Sequence, residues 1–294
     1  MTVLTRALLI GVLTLGTFTP TTPALAASLI AGEVTIDHRV YGDPARTDQP
    51  ILVLVHGWSC DQSYWDAQIK DLSRDHVLVT LDLAGHGRSS ATRADWSMSA
   101  FGADVVAVVR TLPERASIVL IGHSMGGPVV AEAARRLQAE GLGDRLRAVI
   151  GVDTFKSVGL PPAPAEATAA RLAFFERDFA GSTRTFATQA FFRPDTDPAF
   201  ISRIAEDMAA GDPRVGLAAA RAFNAWDGVP TLRGLNLPVI AINAAHGEPT
   251  DEDRLRALVP SFRARVLEGV GHFLMMEDPA RFNAVLREEL ATIR

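Results

Sequence analysis

Lysine is almost missing from this chain. Of 294 residues only Lys70 and Lys156 carry the ammonium side chain, and the other basic residues are arginines, a bias that reads as genome composition. Cysteine is rarer still: Cys60 stands alone, which excludes an intramolecular disulfide. No apolar run reaches the roughly 20 residues that span a bilayer, so a polytopic membrane architecture is excluded. A basic excess is lacking too. With 29 Lys+Arg against 34 Asp+Glu and a net charge of −5, the chain has no surplus to offer nucleic acid. Fixed-period repeats are absent, and the scattered histidines contain no H-E-x-x-H, so neither a solenoid nor a metal centre is expected.

What is present is an ordinary globular composition, 48% hydrophobic and 21% charged, in a length that suits one large α/β domain or two small ones. The N-terminus departs from it. Met1 to Arg6 carries one positive charge, Ala7 to Phe18 is an apolar run, and Ala24-Leu25-Ala26 follows a polar stretch with two prolines. This is the pattern of a secretory signal peptide cleaved near Ala26, which predicts an exported, periplasmic or secreted protein.

Beyond it, Val34 to Tyr41 alternates as a half-buried strand does. Ile51–Val55, Val77–Leu81, Ile118–Ile121, Ala148–Val152 and Val239–Ile242 are continuous apolar runs, the mark of strands buried on both faces. Helical patterns lie between or after them at Asp61–Leu72, Met98–Leu112, Met125–Ala139, Glu252–Val259 and Pro279–Ile293. Such alternation predicts an α/β fold with a mostly parallel sheet flanked by helices. From about 155 to 230 strands give way to helical patterns that, between Phe174 and Phe223, hold eight of the fourteen phenylalanines. Breaks at Arg193-Pro194 and Gly211-Asp212-Pro213 predict about three helices there, forming a cap over the carboxyl edge of the sheet.

The chemistry gathers at Gly122-His123-Ser124-Met125-Gly126, a G-x-S-x-G between a buried strand and a helix. Glycines are needed there because a sharp strand-to-helix turn leaves no room for side chains at 122 or 126. A serine so placed, beside a helix N-terminus that favours developing negative charge, suits nucleophilic attack.

With this motif the chain resembles the α/β-hydrolase superfamily, from about Thr35 to the C-terminus. His56-Gly57-Trp58 is similar to the family's oxyanion-loop motif, and Asp82-Leu83-Ala84-Gly85-His86-Gly87-Arg88-Ser89 to its D-x-x-G-x-G-x-S turn. Gly269-Val270-Gly271-His272-Phe273 resembles the segment that carries the catalytic histidine. The resemblance implies Ser124 as nucleophile, His272 as general base, and the backbone N–H groups of Trp58 and Met125 as the oxyanion hole. For the acid it leaves two candidates. The strand Val239–Ile242 is followed by Asn243-Ala244-Ala245-His246-Gly247-Glu248, with glycine where the usual G-x-x-D has aspartate; Glu248 serves if the loop is one residue longer. Asp153, after the preceding strand, is favoured because it sits at the right edge of the sheet. Asp82 is given a structural role, His56 shapes the oxyanion loop, and His246 is a rim residue. Trp58, Tyr64 and Trp65 either wall an acyl pocket or pack, and Cys60 packs as a small apolar side chain.

The expected function is an exported serine esterase working through an acyl-enzyme on a small-molecule ester, without cofactor or metal. A lactonase, amidase or peptidase, acyltransferase or perhydrolase would use the same residues, and a catalytically silent binding module is the reading from outside the enzymes.

Overall fold

The computed structural model describes residues 25–46 and 48–293. Residues 1–24, most of the expected signal peptide, lie outside them. Eight strands form one sheet: β1 (Leu25–Ala31), β2 (Val34–Tyr41), β3 (Ile51–Val55), β4 (Leu78–Leu81), β5 (Ile118–His123), β6 (Leu146–Val152), β7 (Val239–Ala244) and β8 (Arg263–Leu267). Their order is β1-β2-β4-β3-β5-β6-β7-β8. β1 and β2 are antiparallel to their neighbours, and every pairing from β4 across to β8 is parallel.

Side-chain alternation along β3 divides the core. Ile51, Val53 and Val55 face one layer, where Phe101, Val105 and Val109 of α2 (Met98–Thr111) and Val129 and Val130 of α3 (Gly126–Ala139) are buried. Leu52 and Leu54 face the other, with Leu72 of α1 (Asp66–Leu72) and Phe282 and Leu286 of the C-terminal helix Pro279–Thr292. Removing such fully buried aliphatic side chains from water stabilises the fold by about 1.5–3 kcal/mol each. The continuous apolar runs are therefore the central strands, each covered by helices on both sides.

Between β6 and β7 lie five helices: α4 (Ala165–Arg177), α5 (Phe179–Ala190), α6 (Pro198–Ala209), α7 (Pro213–Ala225) and the short α8 (Gly228–Arg233). Asp178, Asp197, Asp212 and Asp227 cap α5 to α8, each accepting a hydrogen bond from a first-turn N–H, and prolines open α6 and α7. The predicted breaks before α6 and α7 are present, but further ones at Asp178 and Asp227 make five helices, the last of them short, where the sequence suggested about three. The chain then continues through α9 (Glu252–Leu258), α10 (Leu274–Glu277) and α11, the C-terminal helix already named. Among the described residues no helix is long and apolar enough to cross a membrane.

Two strands escaped the sequence reading. β8 is an edge strand in which Arg263 and Arg265 keep charged ends outside while its backbone pairs with β7. β1, largely exposed, pairs with β2 along its whole length, and Ala26 is its second residue.

Candidate active site

Ser124 sits on the turn between β5 and α3 with φ of 53°, a left-handed backbone that a non-glycine residue adopts only when its surroundings enforce it. The enforcement is visible. A Cβ on Gly122 would lie 2.1 Å from the Gly126 carbonyl oxygen, and one on Gly126 would lie 2.6 Å from that of Val55. The Ser124 N–H donates to Val152 O at 2.9 Å, and the Thr154 hydroxyl donates to Ser124 O at 2.9 Å. The serine turn is thus tied to the loop that follows β6. Gly127 allows that approach, since a Cβ there would press into Thr154 at 2.4 Å.

That loop carries Asp153, whose φ of 45° is also left-handed. Its Oδ2 lies 2.6 Å from His272 Nδ1. A carboxylate only accepts, so the ring donates from Nδ1 and leaves Nε2 free to take a proton. Burial raises the Asp153 carboxyl, but the hydrogen bond and charge of His272, together with Lys156, outweigh it and bring the group down to about 2. Of the two carboxylates the sequence offered, Asp153 meets the ring; Glu248 is exposed in the loop after β7.

His272 is held from two further sides. Phe191, immediately after α5, stacks on it with centroids 4.4 Å apart, and the His272 N–H donates to Phe191 O at 2.8 Å. On another side lies His123, ring centroids 4.7 Å away, whose Nε2–H donates to His272 O at 3.0 Å. Burial, with the neighbouring His272, pushes His123 down to about 3, so this ring stays neutral.

Ser124 opens into a cavity of about 140 Å³ lined by Trp58, Met125, Phe175, Phe186 and Phe191, with Arg171 and Asn224 as its polar members. Both residues predicted to supply backbone N–H groups therefore border the serine. The Trp58 indole N–H donates to Gly216 O of α7 at 2.7 Å, and its ring meets Phe175, Phe179 and Phe186 edge-on. Tyr64 and Trp65 do not reach the cavity; both are core residues.

The model of the alpha/beta hydrolase family matches residues 52–285. The chain belongs to that family. The hydrolase is 25% identical over 263 residues to the 3-oxoadipate enol-lactonase 2 of Acinetobacter baylyi, covering 87% of this chain and 93% of that one. Among solved structures, a thermophilic esterase from Thermogutta terrifontis matches with a TM-score of 0.75 at 25% identity, over 92% of this chain and 99% of that one. An enol-lactonase from Burkholderia xenovorans LB400 shares the fold, with a TM-score of 0.74 at 21% identity over 90% and 100% of the two chains.

Within this hydrolase the remaining sequence candidates find defined places. Asp82 accepts from the N–H groups of Gln62 and Arg88 at 2.9 and 2.8 Å, closing its own turn and tying it to the segment after β3. His56 accepts at Nε2 from the Leu83 N–H and donates from Nδ1 to Gly57 O, bridging the loops after β3 and β4. Cys60 is buried against Trp58 O, and burial raises its thiol well above the ordinary range. Sequence reasoning passed over Lys156. Its Nζ lies 2.7 Å from Asp153 Oδ1 and donates to Ala244 O and His246 O at 3.0 and 3.1 Å. The G-x-S-x-G pattern places no demand on the residue at His123, and nothing in the sequence sets Phe191 apart from the other phenylalanines between β6 and β7. A lysine three residues after the candidate acid, in a chain with two lysines, was the available signal.

Proposed function

We propose that this hydrolase is an exported serine esterase that cleaves carboxylic esters through an acyl-enzyme. The observation that carries the reading is the 2.6 Å contact between His272 Nδ1 and Asp153 Oδ2, beside a serine held in left-handed backbone at the mouth of an apolar cavity. In this reading His272 Nε2 takes the Ser124 proton as Oγ attacks the ester carbonyl. The Trp58 and Met125 N–H groups receive the oxyanion, worth about 3 kcal/mol of transition-state stabilisation per donor. His272 returns the proton to the departing alcohol, and water, activated by the same ring, then releases the acid. Asp153 fixes the ring tautomer and stabilises the imidazolium. The aromatic lining favours a compact apolar acyl group.

Turnover of p-nitrophenyl butyrate by the wild type, and a loss of at least about 10⁴-fold in kcat in Ser124→Ala, are expected. Wild-type rates in folded Ser124→Ala protein overturn the reading. Export is tested by the N-terminus of the protein recovered outside the cytoplasm, expected near Ala27. A lactone is the second reading, favoured by the extent of the match to the enol-lactonase named above; a panel of esters and lactones of equal acyl size ranks the two.

A further inference from the structure

We propose that Lys156 is a positioning residue of the catalytic group, holding the second oxygen of Asp153 and setting through it the proton affinity of His272. The proposal rests on the catalytic reading given above.

Asp153 divides its work between its two oxygens. Oδ2 receives the His272 ring, while Oδ1 accepts from the Ala244 N–H at 2.9 Å and pairs with Lys156 Nζ at 2.7 Å. The Lys156 side chain is 10% exposed and that of Asp153 7%, so little water screens the pair. An ammonium has three protons and no lone pair. Here it meets three acceptors, the carboxylate and the carbonyls of Ala244 and His246. The left-handed φ values of Asp153 and Phe155 fold the chain so that a side chain three residues on returns to the carboxylate. Arg254 of α9 anchors the same turn by donating to the carbonyls of Lys156 and Val158.

A staple between the loops after β6 and β7 would need only donors for two carbonyls, and a neutral side chain could serve. Of the three acceptors only Asp153 carries a formal charge for the ammonium to offset. By offsetting part of the carboxylate charge it limits how strongly Asp153 holds the imidazolium. The other titratable or charged groups around this cluster are His123 from the end of β5, Arg254 from α9, which acts through backbone carbonyls, His246 in the loop after β7, and Glu277 of α10, whose carboxylate accepts from the Gly271 N–H at 3.0 Å beside His272 and also faces His246.

Lys156→Gln and Lys156→Met are expected to lose roughly tenfold or more in kcat at pH 7 with little change in KM. The acid limb of kcat/KM should move to higher pH by about half to one unit, and Lys156→Arg should restore part of both. Full activity, or a loss with the acid limb unmoved, overturns the proposal and leaves a staple. A second measurement needs no Lys156 variant. Lysine labelled with ¹³C at Cε gives two side-chain signals from this chain, and the Lys156 signal should shift in step with the His272 ring resonances. His272→Gln should abolish that response, and a Lys156 signal indifferent to the His272 titration overturns the proposal. If the wild type hydrolyses no ester, the proposed function fails, while the NMR titration still decides the coupling.

Discussion

Phe191 lies flat on His272, ring planes 17° apart and centroids at 4.4 Å, and the same phenylalanine gives its carbonyl to the His272 N–H. The segment after α5 and the His272 loop are therefore one packed unit. Phe191→Ala should lower kcat by roughly 10- to 100-fold, because a ring free to tilt spends less time aligned for proton transfer. Since Phe191 is only half-buried, the stability cost should stay near 1–2 kcal/mol, below that of a core phenylalanine. Steady-state kinetics and urea unfolding check both, and Phe191→Tyr, which keeps the stack, should remain close to wild type.

Asp153→Asn should cost about 10⁴-fold in kcat, because the amide would stabilise the wrong tautomer of His272. Glu248→Gln should change activity by less than about twofold, as an exposed substitution away from the site does. The reverse ranking would move the catalytic acid to the loop after β7.

The same carboxylate predicts an acid-stability signature. Its folded-state value of about 2 lies below the ordinary 3.8, despite burial, because His272 and Lys156 favour the charged form. A depressed carboxyl contributes stability above the unfolded value and loses it as pH falls through the folded one. Wild-type stability should therefore drop between about pH 4 and 2 more steeply than that of Asp153→Asn, compared by urea midpoints. Parallel curves would mean that Asp153 is not held in its charged form.

Phe186 borders the cavity and meets Trp58, Phe175 and Phe191 edge-on. Phe186→Ala should enlarge the apolar space and shift preference from butyrate toward octanoate esters, by about 1–3 kcal/mol in relative kcat/KM. An unchanged chain-length profile would place the acyl group elsewhere.

How far these features can be read from sequence depends on what enforces them. The central strands announce themselves because burial on both faces demands unbroken apolar runs such as Ile51–Val55. β8 does not: an edge strand needs only backbone partners, and its Arg263 and Arg265 are free to pair with Glu289 of α11. Ser124 was legible because its strained turn dictates the glycines around it. The break between α4 and α5 was hidden, since Asp178 ends one helix and caps the next without proline or glycine at the junction. Lys156 was hidden for a different reason. Two of its three acceptors are backbone carbonyls of β7 and its loop, and backbone leaves no mark in sequence.

The scarcity of lysine has a practical side once its two positions are known. Lys156 is buried on Asp153, whereas Lys70 stands exposed on α1. Amine-reactive chemistry therefore finds one side-chain handle besides the α-amino group. Dyes and cross-linkers should give nearly homogeneous conjugates, and beads coupled through Lys70 should present every molecule in the same orientation.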